Sequence, residues 1–504
     1  MQLSRKILPT IKTATVPGES EFDFPEKVIQ FGTGVLLRGL TDFFIQKSNG
    51  VGGFKGRVVV IKSTDAGDTE DFSRQDGLYT ICVRGLEQGR TVEENLVSAA
   101  ISRVLSAKRE WQKILELARR KEIVLVISNT TEVGLRLELE NIFQSPPKSF
   151  PAKLLAILYE RYKFFHAARH SGLVIIPTEL IPDNGKLLAQ ILTELSQFNK
   201  LEPDFLEWLR EANEFCSSLV DRIVPGRPAG AETAELEKSL GYEDKLLLIA
   251  EPYRLWAIEG SDRVKALCSF ESSDPQVIVA EDISPYRELK LRLLNGTHTL
   301  TCGLAYLMGF RTVKEGMQDP LLFAHVQGLM TQEILPVLPD YITAEQSREF
   351  ARNTLERFAN PFIQHQWINI TLQYTSKMKM RNVPVLLNHY KKNASPPWHF
   401  TTGFAAYLLF MKAVKFEDRV YFGETSEGYY PIHDDEASYF MDLWHRRKPA
   451  ELVKTILQNH SLWGEDLFAL PGFAAAVQTK LEAMLANGVK AVLSNPDFAP
   501  ASKT

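Results

Sequence analysis

Over residues 28–250 the chain repeats one pattern: a short run of consecutive apolar residues, a few turn residues, then a longer stretch with apolar positions at helical spacing. The runs are VIQF from Val28, VVVI from Val58, IVLVI from Ile123, LVII from Leu173, VDRIV from Val220 and LLLIA from Leu246. Runs that are apolar at successive positions, instead of alternating, suit strands covered on both faces, so the pattern predicts a parallel sheet flanked by helices. Beyond residue 284 it changes to long amphipathic segments such as ELKLRLLNGTHTLTCGLAYLMG and FAAAVQTKLEAMLANGV, which predict a mostly α-helical second domain. The stretch ESSDPQVIVAEDISPY interrupts both periodicities and sets the expected boundary, giving domains 1–283 and 284–504. The fold class expected is α/β, a parallel-sheet domain followed by a helical one, with an irregular tail beyond Asn495.

Charge narrows the partners. With 58 basic and 62 acidic side chains the net charge is −4, so no global field draws the chain to nucleic acid or an anionic membrane. No apolar run reaches the roughly 18 residues of a membrane span, and the first 22 residues lack the apolar core of a secretory signal. Cys82, Cys216, Cys268 and Cys302 form no CxxC pair, which argues against a zinc ribbon or disulfide framework. A cytoplasmic protein is expected, and a homo-oligomer is left open.

Two constellations carry chemistry. The first is Val28-Ile-Gln-Phe31-Gly32-Thr33-Gly34-Val35-Leu36-Leu-Arg38-Gly39, a strand running through two glycines toward a helix. Gly32 permits a tight turn and Gly34 a close approach of the backbone to a pyrophosphate, with Arg38 as a further positive charge. The third glycine falls at Gly39, a GxGxxxxG spacing that alone is weak. After the second strand Asp65, with Asp68 behind it, is the candidate for the ribose hydroxyls, while Lys62 and Ser63 would tolerate a 2′-phosphate, so NAD and NADP both stand at this point. The third strand ends in Asn129, Thr130, Thr131 and Glu132, at the sheet edge where such folds bind ligands; by itself the segment also reads as a capped turn.

The second constellation is Lys290, Asn295 and His298 in ELKLRLLNGTHTL. At about 100° per residue the three lie within an arc of roughly 140° on one helix face. A lysine against an apolar wall exchanges a proton near neutral pH, which alcohol oxidation requires, and amide N–H groups from Asn295 and a second Asn stabilise a developing oxyanion. Gly296 in mid-helix predicts a local break. Lesser marks are Glu179, Asn184 and Gly185 in PTELIPDNG, and Asp221 and Arg222 in a strand-like run that must partner both charges. TSKMKMRNVP carries Lys377, Lys379 and Arg381, a solvated basic face or a carboxylate clamp. No metal site is expected at His433 to Glu436, because adjacent side chains diverge.

FGTGVLLRG, QDGLYT, SNTTEVGL, SLVDRIVPG, EPYRLWAIEG and the Lys290-x4-Asn295-x2-His298 block together resemble the long-chain polyol dehydrogenases of the mannitol dehydrogenase family over nearly the whole chain. The resemblance implies a Rossmann-type N-terminal domain that binds NAD, a helical C-terminal substrate domain and no catalytic zinc. The cofactor-binding set would be Phe31, Gly32, Thr33, Gly34, Val35, Leu36, Asp65, Asn129, Thr131 and Glu132. Lys290 would be the general acid/base, Asn295 and Asn184 the oxyanion pair, His298 a substrate-positioning group, and Asp221 a residue near the substrate. IIPTELIPDNG, where polyol enzymes tend to read SCDN before the same NG, and the cations Lys377, Lys379 and Arg381 favour a hexuronate over a neutral polyol. The reaction implied is NAD-dependent, reversible reduction of D-tagaturonate to D-altronate. Fructuronate or a neutral polyol is the alternative substrate, and a non-catalytic nucleotide or sugar-acid sensor is the alternative of another class.

Overall fold

The computed structural model describes residues 1–63, 69–130 and 133–495; Asp65, Asp68, Thr131, Glu132 and the tail beyond Asn495 lie outside them. The chain divides into two compact units, Met1–Ile283 and Ser284–Thr504.

In the first unit β1 (Glu26–Phe31) and β2 (Arg57–Lys62) are followed by a long hairpin, β3 (Tyr79–Glu87) and β4 (Arg90–Ser98). Then come β5 (Ile101–Ser106), β6 (Leu125–Ser128), β7 (Val174–Pro177) and the two-residue β8 (Glu214–Phe215). Six of these form one sheet in the order β5-β2-β1-β6-β7-β8, and every pair is parallel. This is the doubly wound Rossmann order, with the reversal of chain direction across the sheet falling between β1 and β6. Alternate residues feed two cores: Ile29, Phe31, Val59 and Ile61 pack on one face, Val28, Val58 and Val60 on the other. That two-sided burial is why the central strands read as unbroken apolar runs.

Two of the six runs belong elsewhere. VDRIV yields β9 (Ser218–Asp221), and LLLIA yields β10 (Leu248–Ala250), which pairs with β3 in a separate sheet. β9 is antiparallel to β11 (Leu255–Glu259), which is flanked in turn by β12 (Val277–Ala280). The outer places of the main sheet go to β5 and β8, which the apolar-run criterion misses for a physical reason. An edge strand is incompletely covered, and β5 keeps several of its residues only half-buried.

The second unit is mainly helical, with a small antiparallel sheet of β13 (Lys415–Glu417), β14 (Val420–Thr425) and β15 (Gly428–Ile432) that the sequence pattern did not announce. Its central helix, Trp398–Phe410, is buried along almost its whole length and starts after Pro397, which offers no capping side chain. Glu333 supplies the cap from a distance: its carboxylate accepts the His399 and Phe400 N–H groups, each at 2.8 Å. The Lys480 ammonium donates to Trp398 O and to the Thr401 and Thr402 hydroxyls of the same helix.

Removing a carboxylate that satisfies two buried amides strands both. Glu333→Ala should therefore lower unfolding free energy by about 2–4 kcal/mol in urea titration. Burial pushes the Glu333 carboxyl up to about 7 from an ordinary 4.5, so its contribution is present below 4.5 and is lost as pH rises through 7. The stability difference between the protein and Glu333→Gln should shrink over that window in thermal melts at stepped pH.

Candidate active site

At the end of β1 the backbone of Gly32 takes φ +124°, and a Cβ there would lie 2.8 Å from Asn129 O at the end of β6. Both conformation and space demand glycine, because the two strand ends meet at the point where the sheet order reverses. A Cβ on Gly34 would meet no atom within 4 Å, so this side of the turn is open to a ligand. Gly39 serves packing: a Cβ would come 2.8 Å from Val224. The helix after the turn, Val35–Gly39, is only five residues long before the chain bends at Leu40 and resumes as Thr41–Gly50. Phe31 is buried edge-on against Phe150, while Thr33, Val35 and Leu36 stay half-buried around the turn.

Arg38 does not face a phosphate. Its guanidinium is buried, donates to Leu246 O and lies 5.4 Å from the Tyr79 ring centroid. One turn further on, Asp42 is wholly buried, its carboxyl pushed up to about 7 by burial, with Gln30 Nε2 bridging it to Gly32 O at 3.3 Å on each side. At the end of β2 the Ser63 hydroxyl is buried without a hydrogen-bond partner, as suits a site that takes a ribose. An open glycine turn, a partnerless hydroxyl at the neighbouring strand end and the Rossmann order together fit a dinucleotide.

The neighbouring strand ends are clasped by TELIPDNG. Glu179, 2% exposed, accepts from Ser128 Oγ, Thr130 N and Thr130 Oγ1 at 2.9–3.1 Å, and burial raises its carboxyl pKa against the lowering by those bonds. Asn129 Nδ2 donates to Thr178 O and Oγ1. Asn184 is fully engaged: Nδ2 donates to Pro177 O, Glu179 O and Ser218 O, and Oδ1 accepts from Gly185 N and Ser218 N. With both amide hydrogens committed to backbone, it ties β7 to β9 and has no N–H left to aim at an oxyanion. Gly185 admits this approach, since a Cβ would lie 2.5 Å from Cys216 C and Ser217 N. Asp221 is buried at the end of β9, and Arg222 beside it donates to Glu251 O and Gly39 O with its guanidinium over Phe43, which answers where that strand's cation is partnered.

In the second unit the expected break at Gly296 is absent. The helix runs on from Ser284 to Leu307, but Lys290–Gly296 is π-helical. A π turn bonds residue i to i+5, so Lys290 and Asn295, about 140° apart on an α-helix, are brought one above the other. Lys290 and Asn295 are half-buried. His298 is buried, stacks on Phe358 with centroids 3.8 Å apart, meets His365 edge-on and leaves Nε2 without a partner. Burial, then the charges of His365, Arg357 and Arg381, hold its pKa well below the ordinary value, so the ring is neutral.

The run TSKMKMRNVP forms a second π segment, Met378–Asn382, between the helical turns Tyr374–Lys377 and Val383–Lys392. Lys377 and Arg381, four apart, are partly buried, and burial lowers both pKa values. Arg381 Nη1 donates to Thr299 Oγ1 at 3.0 Å, and its Nε is buried without a partner. Lys379, two residues from each, is exposed and bonds Ser461 O, so the three cations do not converge. Sequence reasoning missed Arg357 and His365 altogether, and the signal for them was weak: ERFANPFIQH reads as an ordinary amphipathic end. At His433 to Glu436, Asp434 accepts from Thr375 N and Glu436 N, a turn; no metal-holding cluster is found among the described residues.

Residues 26–272 match the mannitol dehydrogenase Rossmann domain and residues 282–485 the mannitol dehydrogenase C-terminal domain. The chain is 36% identical over 496 residues to altronate oxidoreductase of Yersinia enterocolitica, covering 97% of this chain and 99% of that protein. It is 37% identical over 479 residues to altronate oxidoreductase of Halalkalibacterium halodurans, covering 93% of each. Mannitol 2-dehydrogenase of Pseudomonas fluorescens, solved as a ternary complex with NAD and D-mannitol, shares the fold with a TM-score of 0.72 at 22% identity, over 99% of this chain and 100% of that one. The chain belongs to the mannitol dehydrogenase family.

Proposed function

We propose that this protein is an NAD-dependent oxidoreductase that interconverts D-tagaturonate and D-altronate, with Lys290 as the proton-transfer group. The observation that carries the reading is the π turn that stacks Lys290 on Asn295 in surroundings furnished with Arg381, Lys377, Arg357 and His365. The partly buried cations Lys377 and Arg381 suit an anionic polyhydroxy substrate, and the extended likeness to altronate oxidoreductases supports the epimer. NAD, which the Gly32–Gly34 turn and Ser63 fit, supplies the hydride acceptor in oxidation and the donor in reduction.

Lys290 Nζ takes the hydroxyl proton as the alcohol is oxidised and returns it on reduction, and Asn295 Nδ2 stabilises the oxygen as it carries partial negative charge. His298, held neutral, offers Nε2 to a substrate hydroxyl. Arg381 and Lys377 bind the carboxylate; Lys379, which faces Ser461, is left out of this set. Asp221 is buried at the end of β9, and Asn184 acts by holding the strand ends. Four free cysteines, all buried, support a reducing and hence cytoplasmic setting. No helix among the described residues is long and apolar enough to cross a membrane.

Lys290→Ala should reduce turnover of D-tagaturonate by about 10²–10⁴-fold while NADH binding, followed by fluorescence titration, stays as in the parent; undiminished turnover would refute the assignment. Arg381→Met should raise KM for D-tagaturonate by about 10–100-fold and leave KM for a neutral ketose unchanged. Equal effects on both substrates would remove Arg381 from carboxylate recognition.

A further inference from the structure

The two π segments are bonded to each other. From the second, Asn382 Nδ2 donates to Gly296 O, the last carbonyl of the first, at 2.9 Å. From the first, Arg292 Nη1 donates to Met380 O at 2.6 Å and to Arg381 O at 3.0 Å, both in the second. Asn382 is completely buried, and Arg292 is fixed from behind by Glu288 at 2.9 Å.

The sequence explains why Met380 O loses its ordinary donor. In an α-helix Met380 O would receive the N–H of residue 384, but residue 384 is proline and has none. The ladder shifts instead to i+5, as in the bond from Val383 N to Met378 O, and Met380 O accepts from Arg292. In the first segment a side chain at position 296 would crowd the lock, since a Cβ on Gly296 would lie 3.2 Å from Asn382 Nδ2. Removing a donor from a buried carbonyl is costly, so these bonds tie the register of each segment to that of the other.

We propose that Asn382 and Arg292 are positioning residues for catalysis: by bonding backbone carbonyls of the opposite π turn they hold Lys290 stacked over Asn295. Without the lock the first segment relaxes toward α-helical spacing, and the two side chains move about 140° apart around the axis. The role assigned to the stacked pair rests on the functional reading above; the lock itself rests on the hydrogen bonds.

The test uses two variants of the full-length protein that act from opposite sides. Asn382→Leu keeps similar volume but removes the donor. Pro384→Ala supplies Met380 O with a backbone N–H in competition with Arg292, and favours a regular helix, so loss of folding is not its expected effect. Both should lower kcat for D-tagaturonate at least tenfold, with the NADH dissociation constant within about twofold of the parent. A Leu386→Ala control, which opens a cavity on the same helix, should cost stability without a comparable loss of kcat. Hydrogen–deuterium exchange should be faster in the peptide covering 290–296 of Asn382→Leu. Unchanged exchange there overturns the lock, whether or not the parent turns over a hexuronate. Faster exchange with kcat within twofold of the parent overturns its role in positioning. A parent that reduces no hexuronate contradicts the functional reading instead, and exchange still decides the lock.

Discussion

A proline with no N–H to give is the constraint on which the helical half of this molecule turns. Pro384 forbids a regular α-helix across TSKMKMRNVP, and the carbonyl it deprives is taken by Arg292 from another helix. The exchange is mutual, because Asn382 from the irregular stretch bonds the carbonyl of Gly296. Two irregular segments form a matched pair, and the residues presented beside them are Lys290, Asn295, Thr299, Lys377 and Arg381. The chemistry proposed for Lys290 depends on that local geometry as well as on the side chain itself.

The first unit solves a different problem, the close meeting of strand ends at the reversal point of the sheet. Gly32 is glycine because Asn129 O occupies the place of its Cβ, and Gly39 because Val224 does. Behind them, polar residues that might have been read as ligands are spent on the scaffold. Arg38 turns inward to Leu246 O, Glu179 collects three donors from Ser128 and Thr130, and Asn184 closes β7 on β9. What remains is the open face of Gly34 and the buried, unpartnered hydroxyl of Ser63, which fit a dinucleotide.

How far the sequence was legible follows from these particulars. Central strands such as VVVI at Val58 were plain because both faces are buried; ISRVLS at Ile101 was not, because an edge strand keeps part of itself outside the core. VDRIV and LLLIA looked like further strands of the same sheet, since an apolar run records burial and not the partner. The Lys290, Asn295 and His298 group was visible as spacing on a helix face, but the spacing was reckoned for an α-helix. The improvement made by the π turn depends on Pro384 and Asn382, some ninety residues away. Asn184 was legible as a family position and not as a side chain whose every hydrogen bond is already used. Lys379 was grouped with its neighbours because a basic run does not state which face each residue takes.

The central claim is that a cation-furnished site around Lys290 reduces a sugar acid at the expense of NADH. It is tested most directly by steady-state oxidation of NADH by the unaltered protein with D-tagaturonate and with the neutral ketose D-tagatose. The account predicts kcat/KM for the hexuronate higher by about 100-fold or more, the worth of a charge-assisted carboxylate clamp. Equal efficiency with the two, or a preference for the neutral sugar, would contradict it.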